Sequence, residues 1–133
     1  MPHVNWLAVI VAGIVGFFPG ALWYSPLMFL KPWARELGVD LSAPQKPKHM
    51  PVLLLTGAIG SIVAAFVLAI LIGPKPHLHT ALHAGLACAI GLVGTSLGIQ
   101  YLFERRSFTF WAINTGYHIV QFLLIALVLA LWP

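Results

Sequence analysis

Four apolar runs, each near the length needed to cross a lipid bilayer, occupy most of this 133-residue chain. A hydrocarbon layer about 30 Å thick takes about 20 residues of helix at a rise of about 1.5 Å each. Helix is the form expected there, because it satisfies its own backbone polar groups where water cannot. The runs predict a single all-α domain, an integral membrane four-helix bundle with helices over about 4–24, 52–72, 78–103 and 108–132. With 60% hydrophobic and 8% charged residues and a mean hydropathy of +0.95, the chain cannot coat a water-soluble domain. The loops are too short for an active site outside the membrane, and no enzyme is expected.

The ends of the spans carry their own signals. Trp6 and the Trp23-Tyr24 pair stand where amphipathic rings prefer the two interfaces of the first span, and Trp111 and Trp132 do the same for the last. No Lys or Arg precedes the first run, which continues into aromatics, so it reads as a retained helix and not a signal peptide. Pro19 lies inside that span and should bend it, and Ser25-Pro26 marks its exit. Residues Trp33 to Val39 suggest a short interfacial helix with Arg35 and Glu36 in water. Leu41 to Pro51, rich in proline and lysine, reads as a solvated connector, and Gly73-Pro74-Lys75-Pro76 stops the second span.

Charge orients the chain. Lys31, Arg35, Lys46, Lys48, Arg105 and Arg106 fall on one side of the expected spans and only Lys75 on the other. The positive-inside bias then puts the first connector and the last turn in the cytoplasm and both termini outside, as a multi-pass protein of a bacterial inner membrane. The net charge of +4 is thereby assigned to topology. The expected partner is the lipid bilayer, and no nucleic acid.

Glycines recur at helix-packing spacing. Gly13, Gly16 and Gly20 in the first span echo Gly91, Gly94 and Gly98 in the third, each with an aromatic three residues beyond the last glycine. A duplicated helical hairpin would produce this echo. Independent selection for small residues that let helices approach would do so too. Gly57 and Gly60 extend the device to the second span, so the first three helices are expected to form the tight core, with the last facing lipid or another subunit.

Polar residues collect toward the basic side: Tyr24, Thr56, Thr95, Ser96, Gln100, Tyr101, Asn114, Thr115 and His118, with Gln121 extending the stripe on the last helix. By depth, Thr95 or Ser96 should meet His118 across the last two spans. Two readings follow. The cluster is a polar pocket with His118 as proton carrier or ligand, or it is hydrogen-bonding glue between helices. At the other end His77, His79 and His83 have a spacing that can chelate zinc or copper. Glu36, Asp40 and Glu104 are all on the opposite side, so no carboxylate supports them, and His3 would join only by assembly; no metal and no other cofactor is expected. Cys88, the single cysteine, sits in an apolar run and reads as packing.

Asn5-Trp6-Leu7-Ala8-Val9 opening the first span, Gly20-Ala21-Leu22-Trp23-Tyr24-Ser25-Pro26-Leu27-Met28-Phe29 closing it, and an Asn114…Tyr117 pair on the last resemble the family catalogued as domain of unknown function 1761. The resemblance covers the whole chain and is most specific in Gly-x-x-Trp-Tyr-Ser-Pro. It implies a small four-helix bacterial membrane protein and no particular activity. The function expected first is an accessory or scaffolding subunit that self-associates or docks on a larger membrane complex. The alternative is a small transporter or channel with a polar, cytoplasm-facing cavity between helices 3 and 4.

Overall fold

The computed structural model describes residues 4–25, 28–38 and 50–133. Pro26, most of the expected connector with Asp40, Lys46 and Lys48, and His3 lie outside the described residues. Among the described residues the fold is all-α, with no strand. Its helices are α1 (Trp6–Trp23), α2 (Leu30–Leu37), α3 (Met50–Ile72), α4 (Leu78–Phe103) and α5 (Phe108–Leu131). All but α2 are long and apolar enough to cross a membrane. The boundaries fall within about two residues of those expected.

Local chemistry fixes the ends. The Ala8 amide donates to Asn5 Oδ1 at 3.1 Å and the Phe110 amide to Ser107 Oγ at 3.1 Å, so each cap satisfies a donor that has no partner in the first turn. Gly38 and Gly73 close α2 and α3 with φ of +72° and +75°, the left-handed geometry glycine takes without cost. At the end of α4 that position is held by Arg105 at φ +60°. The Arg105 amide donates to Leu102 O and the Arg106 amide to Tyr101 O, at 3.2 and 2.8 Å, completing a Schellman turn.

Two irregularities shape the spans. The α1 helix breaks at Phe18, with Pro19 as the first residue of a second segment running to Trp23. Within α4, Ala89–Gly94 is π-helical. Its effect shows in the face turned toward α5. Ala81, Gly85 and Ala89 are buried at steps of four, and the next buried residue is Gly94, a step of five.

The packing centre corrects the expectation that the last helix faces lipid. Of the four spans α5 is the most buried, in contact with every other helix, and Ile125, Ala126, Thr115 and Asn114 lie inside. The glycines of its neighbours exist to receive it. A Cβ on Gly16 would sit 2.8 Å from Ile125, on Gly85 2.9 Å from the Phe122 carbonyl, and on Gly94 3.0 Å from Thr115. Gly20 and Gly98 similarly face Tyr117 and Trp111. Gly13 and Gly57 instead join α1 to α3, against Ile62 and Phe17. Gly60 and Gly91 have nothing within 4 Å, so within one chain they pack against nothing. Of the echoed pairs, Gly16 and Gly94, and Gly20 and Gly98, all face α5, whereas Gly13 packs on α3 and Gly91 on nothing.

Gly13→Ala and Gly91→Ala should separate cleanly in thermal melts in detergent. A Cβ at Gly13 would lie 2.5 Å from the backbone Cα of Ile62, so this substitution should destabilise by about 1–3 kcal/mol, the scale of overpacking. Gly91→Ala should lose nothing, and helix propensity favours it by up to about 1 kcal/mol. Equal effects would show that α1 and α3 are not in contact at Gly13.

Candidate functional site

The ten residues expected to form one polar cluster divide into three groups. Thr56, Thr95, Ser96 and Gln100 are exposed on the outer faces of α3 and α4. Thr95 Oγ1 donates back to the Gly91 carbonyl at 2.7 Å, with Leu92 O at 3.2 Å. Neither Thr95 nor Ser96 meets His118, contrary to the expectation from depth. The π-helical segment supplies the reason. An uninterrupted helix would continue the 81–85–89 stripe through 92, 96 and 100, bringing Ser96 and Gln100 to α5. One extra residue turns the face by about 100° and moves the stripe on to 93, 97 and 101; Tyr101 reaches Asn114 there, with Gly94 and Gly98 beside the stripe against Thr115 and Trp111.

The second group is a closed network at the basic end. Tyr24 Oη donates to Asn114 Oδ1 at 2.7 Å, and Asn114 Nδ2 donates to Tyr101 Oη at 3.1 Å. One buried amide thus ties α1 and α4 to α5. Tyr24 also packs edge-on against Tyr117 and against Trp33 of α2. The break in α1 feeds this layer, since the Tyr117 hydroxyl points at the carbonyls of Gly16 and Phe17, 3.5 and 3.4 Å away, just before Pro19. Two indoles bind carbonyls in the same region: Trp23 Nε1 donates to Ile113 O and Trp111 Nε1 to Gly94 O, both at 2.8 Å. These two bonds were missed in the sequence, where both rings read only as interfacial anchors. The α2 helix covers the layer. Glu36, expected in water, is half-buried and accepts from the Ser107 hydroxyl at 2.6 Å.

The third group lies deeper. Gln121 Nε2 donates to Ser61 Oγ on α3 at 3.0 Å, while Gln121 Oε1 faces His118 Nδ1 at 2.8 Å. Ser61 lies on the same stretch of α3 as Gly57 and Gly60. The side chains of Ser61, His118 and Gln121 line a pocket of about 340 Å³ between α3 and α4, together with Phe17, Tyr117 and Phe122. A larger apolar groove of about 850 Å³ lies beyond Phe17 and Tyr117, between α1 and α3. Thr115 Oγ1 is buried without a hydrogen-bond partner among the described residues.

At the opposite end the histidines are arranged for each other. The rings of His79 and His83 meet edge to face at 4.5 Å, and His83 Nδ1 lies 2.7 Å from the His79 carbonyl. Among the described residues, no three His, Cys, Asp or Glu side chains group as metal ligands.

A family model described as Protein of unknown function (DUF1761) matches residues 7–130. No curated protein and no solved structure matches the chain.

The two bonded layers respond differently to substitution. Tyr24→Phe should cost about 1 kcal/mol, the scale of a membrane hydrogen bond, and should add nothing further in an Asn114→Leu background. Gln121→Leu, which removes the bond between α5 and α3, should destabilise more than His118→Leu, whose only bond is within its own helix. Unfolding titrations of the four single variants and of the Tyr24→Phe, Asn114→Leu double variant check both statements. His118→Leu as the costlier of the pair would place its partner on another helix.

Proposed function

We propose that this chain, which belongs to the family Protein of unknown function (DUF1761), serves as an accessory or scaffolding subunit of the bacterial inner membrane, self-associated or docked on a larger complex. The observation that carries this reading is the contrast among its glycines. Those on the inner faces each receive a neighbour's side chain, whereas Gly91 on α4 stands open on an outer face where another backbone can approach. In a bilayer, close approach at small residues is what drives helices together. The polar chemistry inside the chain fits the same role. Asn114, Gln121, Trp23 and Trp111 spend their donors and acceptors joining helices.

The four spans are read as one membrane-embedded bundle, oriented with Arg105 and Arg106 in the cytoplasm and both termini outside. The placement of α2 agrees, since Glu36 and Ser107 bring the first connector and the last turn to one end. A duplicated hairpin agrees with the shared direction of α1 and α4. The alternative, a transporter with a polar, cytoplasm-facing cavity between the third and fourth spans, here α4 and α5, has less support: the pocket of about 650 Å³ between them is lined by Thr95 and Tyr101 but is otherwise largely apolar, Ser96 and Gln100 do not line it, and Asn114 is closed between two phenols.

Extraction in mild detergent followed by native mass measurement tests the proposal. The wild-type particle should exceed the mass of one chain. Gly91→Leu should reduce it to one chain without lowering the melting temperature. A strictly monomeric wild type with no co-purifying chain would overturn the assignment.

A further inference from the structure

The His118–Gln121–Ser61 chain leaves one polar atom unused, and its position is unusual. Gln121 gives its amide hydrogen to Ser61, so the atom it turns to His118 is the carbonyl oxygen, which only accepts. Nδ1 of His118 therefore carries the ring proton, and Nε2 is left with a bare lone pair. No partner for Nε2 occurs among the described residues, and it is not enclosed by protein. Ten residues separate His118 from Phe108, about 15 Å along a helix about 36 Å long, so this acceptor stands near mid-span. An accessible acceptor left bare in hydrocarbon is costly unless something hydrogen-bonds to it.

The surroundings say what would fit. The α3 and α4 helices touch along Leu78–Cys88, next to the turn that joins them, and part toward the basic end. The pocket between them has Gly57, Gly60 and Ala64 on the α3 wall, Val93 on the α4 wall, and aromatic rings at its floor and rim. At about 340 Å³ it sits at the small end of the range for ligand sites. A whole helix, about 10 Å across, does not enter such a space, whereas a single ring does. Phe17, Tyr117 and Phe122 offer stacking and edge contacts to a flat ring.

We propose that the cleft between α3 and α4 binds the hydroxylated ring of a membrane-dissolved phenol or hydroquinone, its O–H donating to His118 Nε2 and its hydrocarbon tail remaining in lipid. This site goes beyond the scaffolding role and does not require it. The Gln121–Ser61 bond acts as the positioning element, since it fixes which face of the Gln121 amide meets His118 and hence which ring nitrogen is free.

The test uses the full-length protein in nanodiscs, labelled with ¹⁵N at histidine, and 2-decylhydroquinone as probe. Saturable binding should move the His118 Nε2 resonance, identified by its loss in His118→Leu, and leave those of His77, His79 and His83 in place. The dimethyl ether of the probe, which has no O–H, should bind at least tenfold more weakly. Val93→Phe should abolish binding by filling the pocket while His118 keeps its unliganded spectrum, which shows that the fold survives. Equal binding of probe and ether, equal binding by His118→Leu, or no saturable binding would overturn the proposal. Cross-linking of a photoreactive residue at position 93 to a second polypeptide in native membranes, with no probe binding, would assign the cleft to a partner's side chain instead.

Discussion

Inside hydrocarbon a polar group bonds to protein or to nothing, and the whole arrangement of this chain answers to that constraint. The α5 helix answers it for the others. Its Asn114 takes a phenol from α1 and gives a hydrogen to a phenol on α4, its Gln121 reaches Ser61 on α3, and its Ile113 carbonyl accepts the Trp23 indole. Dispersion alone does not choose a register in lipid, because a methyl group meets much the same environment in a tail as in a neighbouring helix. The few polar contacts do choose one. Glycines then permit what the bonds specify, letting α1 and α4 come close enough to α5 for donors and acceptors to meet.

The ends of the helices were legible in the sequence and their faces were not. Gly73 and the Trp belts act locally, so each can be read without knowing the neighbours, and the Asn5 and Ser107 caps, which the sequence reading did not single out, act as locally. The central place of α5 could not be read this way. Its Leu, Ile and Val are as apolar as any lipid-facing helix, and hydrophobic periodicity loses its meaning when both environments are apolar. The same blindness hid the use of Trp23 and Trp111, whose rings satisfy the interfacial rule whether or not their N–H groups bond a carbonyl.

For α4 the obstacle was different. Reading depth from residue number needs only the rise per residue, and on that basis Gln100, Tyr101 and Asn114 were placed in the same half of the bundle; the one that bonds Asn114 is Tyr101. Reading the face needs the cumulative twist. The π-helical segment at Ala89–Gly94 changes that twist midway, so every assignment of face beyond it was displaced. Nothing in Ala-Ile-Gly-Leu-Val-Gly announces the change. Where the segment ends, Trp111 bonds the Gly94 carbonyl and Thr115 fills the space at its Cα, contacts that no local pattern reveals.

Arg105 holds a backbone geometry that a glycine would adopt freely, as Gly38 and Gly73 do at the ends of α2 and α3. A side chain in that conformation carries a standing cost of about 1 kcal/mol or more. A sequence tuned for the finished fold alone would place glycine there. Under the proposed orientation, what arginine supplies is a cation that resists being carried across the bilayer, and the turn then trades some stability of the folded protein for a fixed direction in the membrane.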